Sequence, residues 1–181
     1  NFTQKSLETT KDIFDIFNNK DNSVIDTIIQ FANFYKDKKD IKLRYAFCFP
    51  DNYEIGMSHL GMKILYSVVN AREDAWCERV FAPWEDMEAL MRENEVKLYA
   101  LESGDSLDEF DLVGFTLQYE MSYTNVLNMM KLAGLPLLAS ERGEDAPIII
   151  GGGPCAYNAE PVADFFDVFN IGEGEEVLLE F

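Results

Sequence analysis

The sequence predicts an α/β fold built on a doubly wound parallel sheet, and three observations carry that prediction. From residue 43 onward, short apolar runs of strand length alternate with stretches of helical periodicity. The connections between them are short, and parallel neighbours need crossover helices. Glycine, aromatic and polar residues gather just after the apolar runs. In a parallel sheet those positions share one rim, the carboxyl edge, where such folds take their ligands.

Residues 43–49 form a run with the length and composition of a strand buried on both faces. Pro50 ends it, because proline has no N–H for the ladder. Ser58 is then placed to cap a helix whose apolar positions Leu60, Ile64 and Val68 recur every four residues, ending near Asn70. A second strand is expected over 77–81, where Val80 and Phe81 are strand formers. Pro83 precedes a helix over 84–93 with acidic residues in its first turn. Residues 96–100 read as a third strand and 111–117 as a fourth. Ser122 opens a helix over 122–133, with Tyr119 and Tyr123 on one face, closed by Gly134 and Pro136. Residues 147–150 read as a fifth strand running into Gly151, Gly152, Gly153 and Pro154. A sixth covers 167–171, and residues 172–176 open a last helix with no stop signal before Phe181. The chain is therefore expected to be a C-terminally truncated fragment of a longer protein. Residues 1–40 have a different pattern, two short amphipathic segments and a charged connection. They are expected to form an N-terminal helical extension to a domain over 41–181.

At 181 residues, 48% hydrophobic and 27% charged, the chain is long enough for one domain with a substantial core. No apolar run reaches the roughly 20 residues of a membrane helix, and no signal-peptide pattern opens the sequence. The formal net charge of −18 argues against nucleic acid, whose affinity depends on cationic neutralisation of phosphates. Three separated cysteines (Cys48, Cys77 and Cys155) make no cluster or zinc spacing and read as free thiols in a reducing cytoplasm. With one histidine in the chain, no multi-histidine metal site can be built. No catalytic residue and no metal ligand is expected in this segment.

The candidate binding residues lie in the rim loops. The run Gly151, Gly152 and Gly153 permits close backbone approach to a ligand, or serves only as a sharp exit from its strand. It is not a GxGxxG fingerprint, and no P-loop pattern exists. Thr116 offers a hydroxyl at a strand end, or caps its own turn. Gly172 and Glu173 open an acidic helix start that would repel phosphate, although Glu173 can accept hydrogen bonds from a donor-rich ligand. His59, one residue into a helix, reads as a surface or satisfied histidine.

As a set, these residues resemble the Rossmann-like cobalamin-binding domain that precedes the catalytic barrel in B12-binding radical SAM proteins. That family's pattern is Asp-x-His-x-x-Gly after the first strand, Ser/Thr-x-Leu after a middle strand and Gly-Gly after a later one. Asp51, Gly56, Thr116, Leu117, Gly151 and Gly152 fall at matching places. Gly172-Glu-Gly-Glu175 resembles the end of this domain in the radical SAM branch. The runs 53–61, 114–125 and 151–158 resemble one uncharacterised subfamily, and the similarity covers about residues 43–181. The cobalt-ligating histidine of the pattern is Tyr53 here, a poor neutral ligand.

The resemblance implies a cobalamin-binding module of a radical SAM enzyme. It would hold the corrinoid base-off without a protein histidine, with the nucleotide tail in a groove beside the glycine run. Asp51, Tyr53, Gly56, Thr116, Leu117, Gly151, Gly152, Gly153, Gly172 and Glu173 would line the site. S-adenosylmethionine and a [4Fe–4S] cluster would belong to a downstream barrel of the same chain, since no CxxxCxxC occurs here. The alternative is a degenerate, cofactor-free Rossmann-like domain that docks a barrel or another subunit. A flavodoxin-like flavin site is a third reading of the same rim.

Overall fold

The structure, a computed structural model, describes residues 41–178. Five parallel strands lie in the order β2-β1-β3-β4-β5: β1 Leu43–Phe49, β2 Ala75–Phe81, β3 Leu112–Thr116, β4 Ile148–Gly152 and β5 Val168–Phe169. The order reverses between β1 and β3, so the carboxyl ends of those two strands flank a topological switch point. The doubly wound α/β fold expected from the sequence is therefore present. The readings made for residues 1–40 and 179–181 lie outside the described residues.

Each strand splits its side chains between two cores. On one face, Tyr45, Phe47 and Phe49 of β1 join Ala75, Cys77 and Phe81 of β2 and Ile150 of β4. Met62 and Val69 of helix α2 (Leu60–Asn70) cover them. On the other face, Ala46, Cys48, Val80, Val113, Phe115 and Ile149 pack under α3 (Glu85–Glu93) and α4 (Tyr123–Ala133). Burial on both sides explains why the strands read as continuous apolar runs. Gly134, with φ +75°, closes α4 as the sequence predicted.

The segment after β1 differs from the single helix expected there. It is two helices, α1 (Tyr53–Ser58) and α2, divided at His59. Asn52 caps the first: its side-chain oxygen accepts from the Ile55 N–H at 3.0 Å. Ser58, expected to cap the second, instead donates its hydroxyl back to Ile55 O at 2.7 Å. His59 caps the second, its Nδ1 accepting from the Met62 N–H at 3.2 Å. The buried positions of α2 are Met62 and Val69, while Leu60 and Ile64 face solvent, so the buried stripe is offset from the one the four-residue spacing suggests.

Residues 96–100 are not a sheet strand. Leu98 and Ala100 are buried, so the alternation that suggested a strand is real. Their N–H groups, however, go to Leu132 O (3.0 Å) and Asp105 O (2.9 Å), and Tyr99 makes only an isolated antiparallel bridge to Ser106. The place beside β1 is already taken by β3, to which it pairs directly. The connection instead runs along the free edge of β2, where the Leu101 N–H donates to Arg79 O at 2.9 Å, and a partly buried ion-pair group pins it there. Arg44 Nη2 donates to Glu78 Oε1 at 2.6 Å and to Asp105 Oδ2 at 2.8 Å, and the Ser103 N–H donates to Glu78 Oε2 at 2.9 Å. The guanidinium lies 4.3 Å from the centre of the Phe110 ring. Burial pushes the Glu78 carboxyl above its ordinary range, against the opposing pull of Arg44 and Ser103.

Two smaller corrections concern the carboxyl edge. β4 extends through Gly151 and Gly152, which pair with Phe115 and Thr116 of β3. The expected sixth strand over 167–171 narrows to the two residues of β5.

Candidate functional site

The turn after β1 is fastened to three neighbouring elements. The Ala82 N–H, just past β2, donates to Asp51 O at 2.9 Å. Asn125 Nδ2, on α4, donates to Pro50 O at 2.9 Å. The Tyr119 hydroxyl reaches Asp51 Oδ2 at 3.5 Å across the switch point. The other Asp51 oxygen accepts from the Asn52 N–H at 2.8 Å. Asp51 is thus placed at the crevice between β1 and β3, half-buried and hydrogen-bonded.

Tyr53 begins α1 with half its surface exposed, and its ring stands edge-on to Phe81 at 5.6 Å. Gly56, one turn later, is buried against the same ring. A Cβ there would overlap Phe81 and stand 3.2 Å from Phe49. The glycine at this position makes room for the protein's own aromatics.

Gly151 has the same explanation. Its Cβ would fall 2.8 Å from Phe169 and 3.1 Å from Phe166, two rings packed on that face of β4. Gly152 points to the opposite face, and an added Cβ would meet nothing nearer than Asn170 Cβ at 3.9 Å. Gly153 turns the chain with φ +100°, a conformation side-chain-bearing residues rarely adopt. Leu117 is fully buried, its N–H donating to Gly152 O at 2.6 Å and its carbonyl accepting from the Cys155 N–H at 3.0 Å. It ties the exits of β3 and β4 together and presents no side chain to the rim. Thr116 is buried at the end of β3, and its hydroxyl accepts from the Gln118 side-chain amide. Gly172 (φ +138°) and Glu173 are exposed after β5, and the helix they introduce is only α5 (Gly174–Val177).

Three groups therefore share the carboxyl edge. Asp51, Tyr53 and Gly56 follow β1, the set from Thr116 to Gly153 follows β3 and β4, and Gly172 and Glu173 follow β5. Gln118 and Tyr119 link the first two groups, since one bonds Thr116 and its neighbour reaches Asp51. Ser122 does not cap α4 as expected: its hydroxyl donates backward to Tyr119 O at 2.7 Å and so shapes the turn that carries Tyr119. Tyr119 consequently lies outside the helix, while Tyr123 packs against the α3/α4 core.

Asn125 and Asn170 were not recognised as candidates in the sequence. Asn125 sits one turn into α4 with nothing local to mark its long-range bond to Pro50. Asn170 follows β5, and its Oδ1 is buried with no hydrogen-bond donor among the described residues. The available signal was one polar residue inside the run Val168-Phe-Asn-Ile171.

Comparison with known proteins gives two findings. Residues 61–181, more than half of the chain, match the family described as radical SAM proteins, N-terminal. An uncharacterised protein of Methanocaldococcus jannaschii is 29% identical over 138 residues, which cover 75% of this chain and 25% of that protein. The chain thus corresponds to about a quarter of the length of that relative.

Proposed function

The chain belongs to the family of radical SAM protein N-terminal domains, and we propose that it is the corrinoid-binding, non-catalytic module of a radical SAM enzyme. The observation that carries this reading is the opening at Gly152. Of the glycines that match the cobalamin-binding pattern, Gly56 and Gly151 are filled by the protein's own rings, whereas no ring covers Gly152, whose nearest neighbour is Asn170 Cβ at 3.9 Å. It lies between Thr116, its partner on β3, and Asn170, whose side-chain oxygen has no donor among the described residues. These features support a polar ligand at the ends of β3 and β4, beside Asn170. At α1, by contrast, the Phe81 and Phe49 rings occupy the place over Gly56.

A corrinoid would supply a redox-active cobalt able to carry an alkyl group. Thr116, Gly152 and Gly153 would hold it, by close backbone approach and hydrogen bonding. The ligand would receive no protein imidazole. Tyr53 stands at the pattern's histidine position with its ring packed on Phe81. The single histidine, His59, spends its Nδ1 capping α2 while its ring lies 5.1 Å from that of Phe49. A catalytic domain with S-adenosylmethionine and a [4Fe–4S] cluster would occupy the rest of the protein.

A second reading, a cofactor-free docking domain, draws support from the filled glycines. Besides Gly56 and Gly151, the space over Gly114 on β3 is taken by the Tyr45 ring. Titration with hydroxocobalamin, followed by visible spectroscopy, separates the two. The corrinoid reading expects a saturable base-off spectrum that Gly152→Leu abolishes without lowering the unfolding midpoint. No spectral change at high-micromolar ligand would favour the docking domain.

A further inference from the structure

Beyond the last paired residue of β5, the Asn170 N–H donates to Gly151 O at 2.8 Å. That bond continues the ladder for one step and places the Asn170 Cβ 3.9 Å from where a Gly152 Cβ would stand. Its Oδ1 is removed from solvent and accepts no hydrogen bond among the described residues. A buried amide oxygen without a donor carries a desolvation penalty that most native structures avoid. Thr116, on the opposite side of Gly152, is already engaged by Gln118 and does not relieve it. The unpaired acceptor and the missing side chain thus lie together at one point of the carboxyl edge.

We propose that Asn170 is a ligand-binding residue whose side-chain oxygen accepts a hydrogen bond from an amide N–H or a hydroxyl of the bound corrinoid. This rests on the corrinoid reading above and adds a contact that none of the pattern residues supplies. Two parts of such a ligand carry that chemistry: the carboxamide arms of the corrin ring and the ribose hydroxyl of the nucleotide tail. An acceptor kept unpaired for a ligand weakens the empty protein, so replacing it by an apolar residue of similar size relieves a cost in the absence of ligand.

The test uses the full-length protein, with hydroxocobalamin and the tail-less dicyanocobinamide as probes and Asn170→Leu as the variant. The expected result is hydroxocobalamin affinity about fivefold to tenfold weaker, with the ligand-free melting temperature unchanged or raised. An equal loss for both probes assigns the donor to the ring arms, and a loss confined to hydroxocobalamin assigns it to the tail. Unchanged affinity for both probes in a variant of a binding-competent protein would overturn the role of Asn170 and leave the corrinoid reading standing. A melting temperature several degrees lower would also overturn it, because Asn170 would then be a structural residue satisfied by water. If the unaltered protein binds neither probe, the corrinoid reading falls and this contact falls with it.

Discussion

Replacing Gly56 and Gly152 separately by alanine distinguishes a glycine that fills a packing need from one that leaves a surface free. At Gly56 the new methyl overlaps the edge of the Phe81 ring and stands 3.2 Å from Phe49, both of them buried in the same core. Neither ring can swing away without disturbing that core, and α1 is held at both ends by the Asn52 and His59 caps. Overpacking of this kind costs about 1–3 kcal/mol. The helix-propensity gain from glycine to alanine, about 0.5–1 kcal/mol, offsets part of it. A net loss of about 1–2 kcal/mol is expected. At Gly152 the methyl meets only Asn170 Cβ at 3.9 Å, and φ is not positive. The alanine there is expected to be neutral, or stabilising by up to about 1 kcal/mol through the unfolded chain. Urea unfolding monitored by tryptophan fluorescence measures both, with the slope m checked for constancy. Equal stability of the Gly56→Ala and unaltered proteins, or a larger loss at Gly152 than at Gly56, would refute this account of the two glycines.

Arg44→Ala removes the cation that faces buried Glu78 and also partners Asp105. Breaking one side of a buried pair costs about 3–5 kcal/mol, and the urea midpoint should fall accordingly. A loss below about 1 kcal/mol would class the pair with exposed ones. The pH dependence of Glu78 has a definite sign. Its folded-state affinity for a proton is raised, chiefly by burial, so the folded protein binds the proton more readily than the unfolded chain. The resulting stabilisation is fully present below the unfolded value of about 4.5 and is lost as pH rises through the folded value. Unfolding midpoints of the unaltered protein should therefore decline relative to Glu78→Gln as pH rises above 4.5. A difference that is flat or grows over that range would contradict the assignment.

Much of the architecture was legible locally. The strands β1, β3 and β4, the helix ended by Gly134, and the gathering of polar and glycine residues at the carboxyl edge all follow from short-range patterns. Residues 96–100 misled for a clear reason: Leu98 and Ala100 alternate with exposed neighbours as in a strand, yet alternation reports one buried face and not a ladder. His59 reads in the sequence as a surface or satisfied histidine; that its Nδ1 is satisfied by capping α2 depends on the helix break itself.

The sequence by itself determined that strands and helices alternate, that the sheet is parallel, and that glycine and polar residues gather at its carboxyl edge. Those properties rest on periodicity and on turn residues, which act over a few positions. Only the tertiary structure decided what each glycine is for. Gly56 lies under Phe81, Gly114 under Tyr45, Gly151 under Phe166 and Phe169, and Gly152 under nothing nearer than Asn170. Whether the space left by an absent side chain is filled depends on which residue the fold returns to it. For Gly114 and Tyr45, that residue comes from another strand, far away in the chain.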